Sequence, residues 1–132
     1  MNNYTSKDIS TKKQARFGAL LVDKEGRILD VASMESQVSQ LIGKSAARYR
    51  DVLRIGMMRG NTIALEAQPK IPEGTIIPTL HFQLARVGPH VTDATFEGAV
   101  QEIAASIADL LGHPGFCIAY AEAETVTFDF TK

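Results

Sequence analysis

The feature that most constrains the fold is an amphipathic helical pattern between Thr92 and Gly112. Its apolar residues recur at helical spacing and share one face of a helix: Phe96, Ala99, Val100, Ile103, Ile107, Leu110 and Leu111. Thr92 or Asp93 can accept hydrogen bonds from the amides that start such a helix, and Gly112 followed by Pro114 is a typical end. The pattern predicts a helix over residues 93–111 whose apolar face packs against a second layer.

Alternating apolar patterns predict the strands of that second layer. We expect one hairpin over residues 17–32, with its turn at Gly26, and another over residues 62–84. Pro78 lacks an amide hydrogen, so it predicts an edge strand or the start of a strand. Residues 116–130 carry their apolar side chains at even positions, which predicts either one long bent strand or a hairpin. The sequence leaves these two alternatives open.

A second helical pattern lies between the two hairpins and predicts a helix over about residues 34–58. The predicted element order is therefore ββαββαβ, with two helices on one face of a mainly antiparallel sheet. This is an α+β two-layer sandwich, a variant of the ferredoxin-like arrangement. The helices are expected to pack through these residues: Val38, Leu41, Tyr49, Val52, Leu53, Phe96, Val100, Ile103, Ile107 and Leu110.

Length and composition fit one domain of this kind. The chain has 132 residues, of which 45% are hydrophobic and 22% charged, and such a chain can bury a core without disulfides or metal. Residues 1–14 lack a periodic apolar pattern, so we expect a flexible arm followed by a single domain over residues 15–132. Cys117 has apolar neighbours and is expected to be a buried thiol. Because no apolar run could span a membrane and no secretory signal is present, we expect a cytoplasmic protein.

Motifs that would assign a chemistry are incomplete. The triplet Gly43-Lys44-Ser45 ends like a phosphate-binding loop, but Val38 stands where that loop requires its first glycine. The 3 histidines show no metal-ligand spacing. We therefore predict neither a metal nor another cofactor.

The densest group of cations falls largely on the first predicted helix and consists of Lys44, Arg48, Arg50, Arg54 and Arg59. Arginine can hold phosphate or carboxylate through two parallel hydrogen bonds, so the group predicts a surface for a small anionic ligand or an acidic protein. Apart from Tyr49, which falls on the apolar face, no aromatic residue alternates with these cations, and the pattern does not favour nucleic acid.

The two halves of the chain carry opposite charge. Residues 1–66 hold 11 Lys and Arg against 7 Asp and Glu, while residues 67–132 hold 3 against 8. Opposite charges attract within one fold or between identical subunits. Together with the sheet edges, this asymmetry predicts self-association into a dimer or a small ring.

His81 is the best candidate for general acid–base chemistry, because it lies on the strand face opposite Leu80, where it could line a cleft. Thr79 and Gln83 share that face, and Glu66 is a candidate carboxylate neighbour. Two functions stay open. One is a homo-oligomeric binding or regulatory module that uses the basic helix, and the other is a cofactor-independent isomerase, lyase or hydrolase that uses His81.

Overall fold

A computed structural model describes residues 3–23, 25–65, 71–112 and 116–131. Its elements are β1 (Asn3–Leu20), α1 (Val31–Arg48), β2 (Leu53–Ile63), β3 (Ile76–Arg86), α2 (Asp93–Leu111) and β4 (Ala119–Thr131). The four strands form one antiparallel sheet in the order β2-β3-β1-β4. The predicted fold class, an α+β sandwich of two layers, is confirmed.

The sheet has one covered face and one open face, because strand side chains point alternately to its two sides. On the covered face, β1 and β3 bury Ala15, Phe17, Ala19, Leu80, Phe82 and Leu84. The helices pack there: α1 buries Val38, and α2 buries Phe96, Ala99, Val100, Ile103, Ala104, Ile107, Ala108 and Leu111. The opposite side, which bears Arg16, Gly18, Gly56, Met58, His81 and Gln83, is exposed and is called the open face below.

Helix α2 agrees with the sequence prediction, whereas the second hairpin agrees only in part, because its first strand, expected over residues 62–67, ends at Ile63. The helix has the expected bounds, the Thr92 side chain accepts a hydrogen bond from the Thr95 amide, and Gly112 adopts the left-handed conformation at φ 71°. Strands β2 and β3 pair as far as Ile63 and Ile76. The last segment is one strand, so the structure decides between the two alternatives for residues 116–130.

The prediction that the first helix extends to about residue 58 is wrong, because α1 ends at Arg48. The chain turns after Tyr49, and the residues that were expected to continue the helix form β2 instead. In β2, Leu53, Ile55 and Met57 point to the covered face, so their period is two rather than helical. Pairing with β3 along the whole of β2 therefore overrides the local helical pattern.

The structure contains the turn of the first predicted hairpin, but the residues expected to form its second strand make only a single bridge. Gly26 has φ 80°, as the turn requires, and a single bridge joins Val22 to Ile28. Helix α1 already begins at Val31, because the Asp30 side chain accepts a hydrogen bond from the Ser33 amide at 3.0 Å. The element order is thus β-α-β-β-α-β, the order that ferredoxin-like domains share.

Strand β1 is much longer than the sequence predicted. We expected residues 1–14 to form a flexible arm, whereas β1 begins at Asn3 and pairs with β4 as far as Arg16 and Ala119.

Pro78 lies near the start of β3, which is a central strand, and its carbonyl accepts a hydrogen bond from the Leu21 amide at 2.9 Å. Of its two predicted places, the strand start is the one observed.

Exposure corrects two predictions about packing. Leu110, expected in the core, is 36% exposed, and Cys117, expected to be buried, is exposed. Tyr49, Leu41 and Val52 are half-buried at the edge of the core. No helix within the described ranges combines the length and the hydropathy that crossing a membrane requires.

The division into two faces predicts that substitutions at two neighbouring residues of β3 lower the free energy of unfolding by very different amounts. Phe82→Ala should lower the free energy of unfolding by about 3–5 kcal/mol, because a fully buried ring would leave a cavity. Gln83→Ala, on the open face, should change it by about 0.5 kcal/mol or less. Urea unfolding of both variants measures the difference, and similar losses in the two would contradict the assignment of the faces.

Candidate functional site

The open face carries a groove of about 550 Å³. Its lining is formed by residues 16–18 of β1, 56–58 of β2 and 81–83 of β3. In the sheet, His81 pairs with Gly18 on one side and with Met58 on the other. His81 therefore stands in the middle of the groove, and its role as an acid or base stays a prediction.

Glycines on the neighbouring strands leave room for the His81 imidazole. A Cβ on Gly60 would lie 2.8 Å from both Cδ2 and Nε2 of His81, and a Cβ on Gly18 would lie 3.1 Å from Nδ1. A side chain at Gly60 would thus collide with the ring, and one at Gly18 would require the ring to move by a few tenths of an ångström. The imidazole lies across the sheet surface between β1 and β2, and glycine in these strands permits that close approach.

Thr79 holds one nitrogen of the ring. Its Oγ1 lies 2.9 Å from His81 Nε2, and Thr79 is only 3% exposed. When Nε2 carries the proton and donates it to Thr79, the lone pair lies on Nδ1, the nitrogen nearest Gly18. Gln83 donates from Nε2 to Oε1 of Gln14 at 3.3 Å, and Glu66 lies outside the described residues.

The sequence identified His81, Thr79 and Gln83 as a group but missed the rest of the groove. Arg16, Gly18 and Gly56 belong to two other strands, and only the pairing register brings them beside His81. A usable signal was present, because glycine inside a strand often marks a site where a ligand or another backbone approaches.

Across the described ranges, no cluster of three His, Cys, Asp or Glu side chains is arranged to hold a metal.

The five cations of the predicted anion-binding surface do not share one helix. Lys44 and Arg48 lie on α1, Arg50 lies in the turn that follows, and Arg54 and Arg59 lie on β2. The basic helix of the sequence analysis is therefore split by the end of α1. Whether these residues bind an anion stays a prediction.

Protein groups already engage most of these cations. Arg48 Nη1 lies 2.6 Å from Glu102 Oε1, and Arg59 forms two hydrogen bonds with Glu35, one of them from Nη2 at 3.0 Å. Arg54 donates to the backbone carbonyl of Arg50. These contacts tie strands and helices together and occupy donors that an anionic ligand would need.

Comparisons with known proteins give a fold but no family. No protein-family model matches the chain, and no curated protein does either. Among solved structures, a phage SAM lyase in complex with S-methyl-5'-thioadenosine has a TM-score of 0.50 at 14% identity, over 91% of this chain and 90% of that one. A phage SAM lyase in the apo state has a TM-score of 0.48 at 13% identity, with the same coverage. At such identities the likeness shows the fold alone.

A hydantoinase/carbamoylase family amidase from Burkholderia ambifaria is also similar, with a TM-score of 0.41 at 13% identity. The match covers 87% of this chain but 27% of the amidase. The likeness is thus confined to one part of a larger protein.

The contact between Arg59 and Glu35 predicts a pH-dependent stability. Hydrogen bonding to Arg59 holds the pKa of Glu35 below its ordinary value of 4.5, and the charge of Arg59 adds to this effect. The pair therefore stabilises the fold at pH values above about 4.5 and ceases to do so as the pH falls through the lower folded-state pKa. Arg59→Gln should lower the free energy of unfolding at pH 7, and the loss should be smaller at about pH 3, where protonation of Glu35 weakens the pair.

Urea unfolding at the two pH values measures this loss. Arg50→Gln is the matched control, because Arg50 Nε lies 4.0 Å from the exposed carboxylate of Asp51 and such a pair contributes little. An equal loss for Arg59→Gln at both pH values would contradict the electrostatic origin.

Proposed function

We propose that this protein is a cofactor-independent enzyme whose active site is the groove on the open face, with His81 as the general base. One observation carries the proposal. The imidazole lies within a groove large enough for a small molecule, and Thr79 holds Nε2 while Nδ1 lies toward Gly18. A histidine with one nitrogen held and the other available has the arrangement that proton transfer needs.

Among isomerase, lyase and hydrolase, the proposal favours a lyase. The support is the likeness in fold to a phage SAM lyase that matches nearly the full length of both chains. That enzyme was solved with S-methyl-5'-thioadenosine, a nucleoside thioether. A sulfonium nucleoside is therefore the first substrate class to test on this chain.

The chemistry needs only a base at this position. His81 Nδ1 accepts a proton from the carbon next to the one that bears the leaving group. The electron pair of that C–H bond becomes the new C=C bond, and the leaving group departs with its bonding pair. From a sulfonium the leaving group is a neutral thioether, so it needs no protein acid. His81 then returns its proton to water, and Thr79 acts as a positioning residue that holds the ring through its hydrogen bond with Nε2.

The test is turnover of S-adenosylmethionine by the purified chain, with S-methyl-5'-thioadenosine followed by chromatography. His81→Asn should lower kcat by about 10²-fold or more, the usual contribution of a general base, while the dissociation constant changes little. The matched control is His90→Asn, since His90 is an exposed histidine outside the groove lining, and it should leave kcat unchanged. Thr79→Val should lower kcat more than it alters KM.

Three results would each overturn a part of this proposal. Binding of S-adenosylmethionine without product would exclude the lyase and leave a binding protein. Turnover that survives His81→Asn would exclude His81 as the base. The absence of both binding and turnover would remove sulfonium nucleosides as the substrate class.

A second candidate is a homo-oligomeric binding or regulatory module that meets an acidic surface. The exposure of Lys44, Arg50 and Arg54 favours it, because these cations lie in or beside the turn that links α1 to β2. The acidic second half of the chain, presented by another copy, is a partner of suitable charge.

This candidate predicts a dimer or a small ring at low ionic strength that weakens in high salt, since exposed charges are screened. Light scattering at high micromolar concentration measures the mass. The double variant Lys44→Glu and Arg54→Glu should shift the equilibrium toward monomer. A particle of 14.4 kDa in low salt would contradict self-association.

A further inference from the structure

The groove contains a cation that the proposed proton transfer does not use. Arg16 lies on the open face, is exposed and lines the groove. Other arginines, such as Arg27, Arg48 and Arg59, each pair with a carboxylate. Within the part of the chain that the structure describes, no carboxylate lies within 4.0 Å of the Arg16 guanidinium. A guanidinium placed in a groove without such a partner is suited to an anionic ligand group.

The sheet register sets the position of Arg16 relative to the proposed base. Arg16 pairs with Gln83, and the next pair on the same face is Gly18 with His81. Two residues along a strand span roughly 7 Å, so the Arg16–Gln83 pair lies directly beside the Gly18–His81 pair on this face of the sheet. The His81 imidazole lies over Gly18, with Nδ1 3.1 Å from where a Cβ on that glycine would lie, so the Nδ1 side of the ring is turned toward β1, the strand that bears Arg16.

We infer that Arg16 binds a carboxylate of the substrate within the groove, beside the His81 imidazole. This inference rests on the proposed function and narrows its substrate class to carboxylic acids. The planar guanidinium can donate two parallel hydrogen bonds to a carboxylate. In such a substrate the carbon that loses its proton lies within a few bonds of the carboxylate. Holding the carboxylate beside the imidazole therefore brings that carbon near Nδ1.

The charge of the groove favours a carboxylate over a phosphate. Arg16 is the one permanently charged side chain among the residues that line the groove. One guanidinium balances the single charge of a carboxylate, whereas a phosphate ester near neutral pH carries up to two charges. On the other side of His81, Met58 is 66% exposed, and its thioether offers an adaptable apolar surface to the rest of the ligand.

The first experiment compares two ligands that differ only in the carboxylate: S-adenosylmethionine and its decarboxylated analogue. Isothermal titration should show that the chain binds the carboxylated form at least tenfold more tightly. Arg16→Gln should abolish that preference. Arg27→Gln is the matched control, because Arg27 is an exposed arginine outside the groove lining, and it should keep the preference.

A second experiment does not depend on sulfonium chemistry. Amide chemical shifts of the ¹⁵N-labelled chain are recorded with butyrate and with butyramide at equal millimolar concentrations. Butyrate alone should perturb Arg16, Gly18 and His81, and Arg16→Gln should remove the effect. Thermal unfolding of Arg16→Gln near the wild-type midpoint, which we expect because this side chain is exposed, establishes that the variant is folded.

The outcomes separate the inference from the function on which it rests. Turnover of S-adenosylmethionine together with equal binding of both ligands would overturn the role of Arg16 and leave the lyase standing. Groove shifts with butyrate but no turnover would support the carboxylate site and overturn the lyase. Equal shifts with butyrate and butyramide, or shifts that survive Arg16→Gln, would overturn the inference.

Discussion

The structure depends above all on the burial of the apolar face of α2 against the central strands β1 and β3. Phe17 and Phe82 stack at 4.9 Å across these strands, and Phe96 of α2 is fully buried. Because strand side chains alternate, this burial fixes the register, and a slip by one residue would expose the core face to water. The same constraint assigns His81 and Arg16 to the opposite side. The groove is thus a consequence of how the core is packed.

The candidate site is unusual in lying on strands rather than on loops. Gly18, Gly56 and Gly60 remove side chains from the middle of the sheet, so a concave surface forms without an insertion. Backbone pairing on both sides of β3 holds that surface in place. A site built on paired strands positions its side chains more rigidly than a site on loops.

Charged side chains serve mainly to join the layers. Lys13 of β1 contacts Glu97 of α2, and Arg86 of β3 lies 2.7 Å from Asp93 at the start of the same helix. Arg59 plays the corresponding part between β2 and α1. The contacts of Lys13 with Glu97 and of Arg48 with Glu102 join the first half of the chain to the second, so the opposite charges of the halves meet partly within the fold. A cluster of cations in a sequence does not reveal this, because its carboxylate partners are distant along the chain.

The sequence by itself determined the elements whose signals are local. Caps and periodicity define α2, the turn-rich segment before Ile76 defines the second hairpin, and alternation assigns His81 to the polar face of β3. Tertiary structure decided the rest, since β2 is a strand only through its pairing with β3, and most of β1 pairs with β4. It also decided the membership of the site: Arg16 and Gly18 are distant from His81 in sequence and adjacent only by register. Local patterns report what one segment prefers, whereas a site on a sheet is defined by which segments pair.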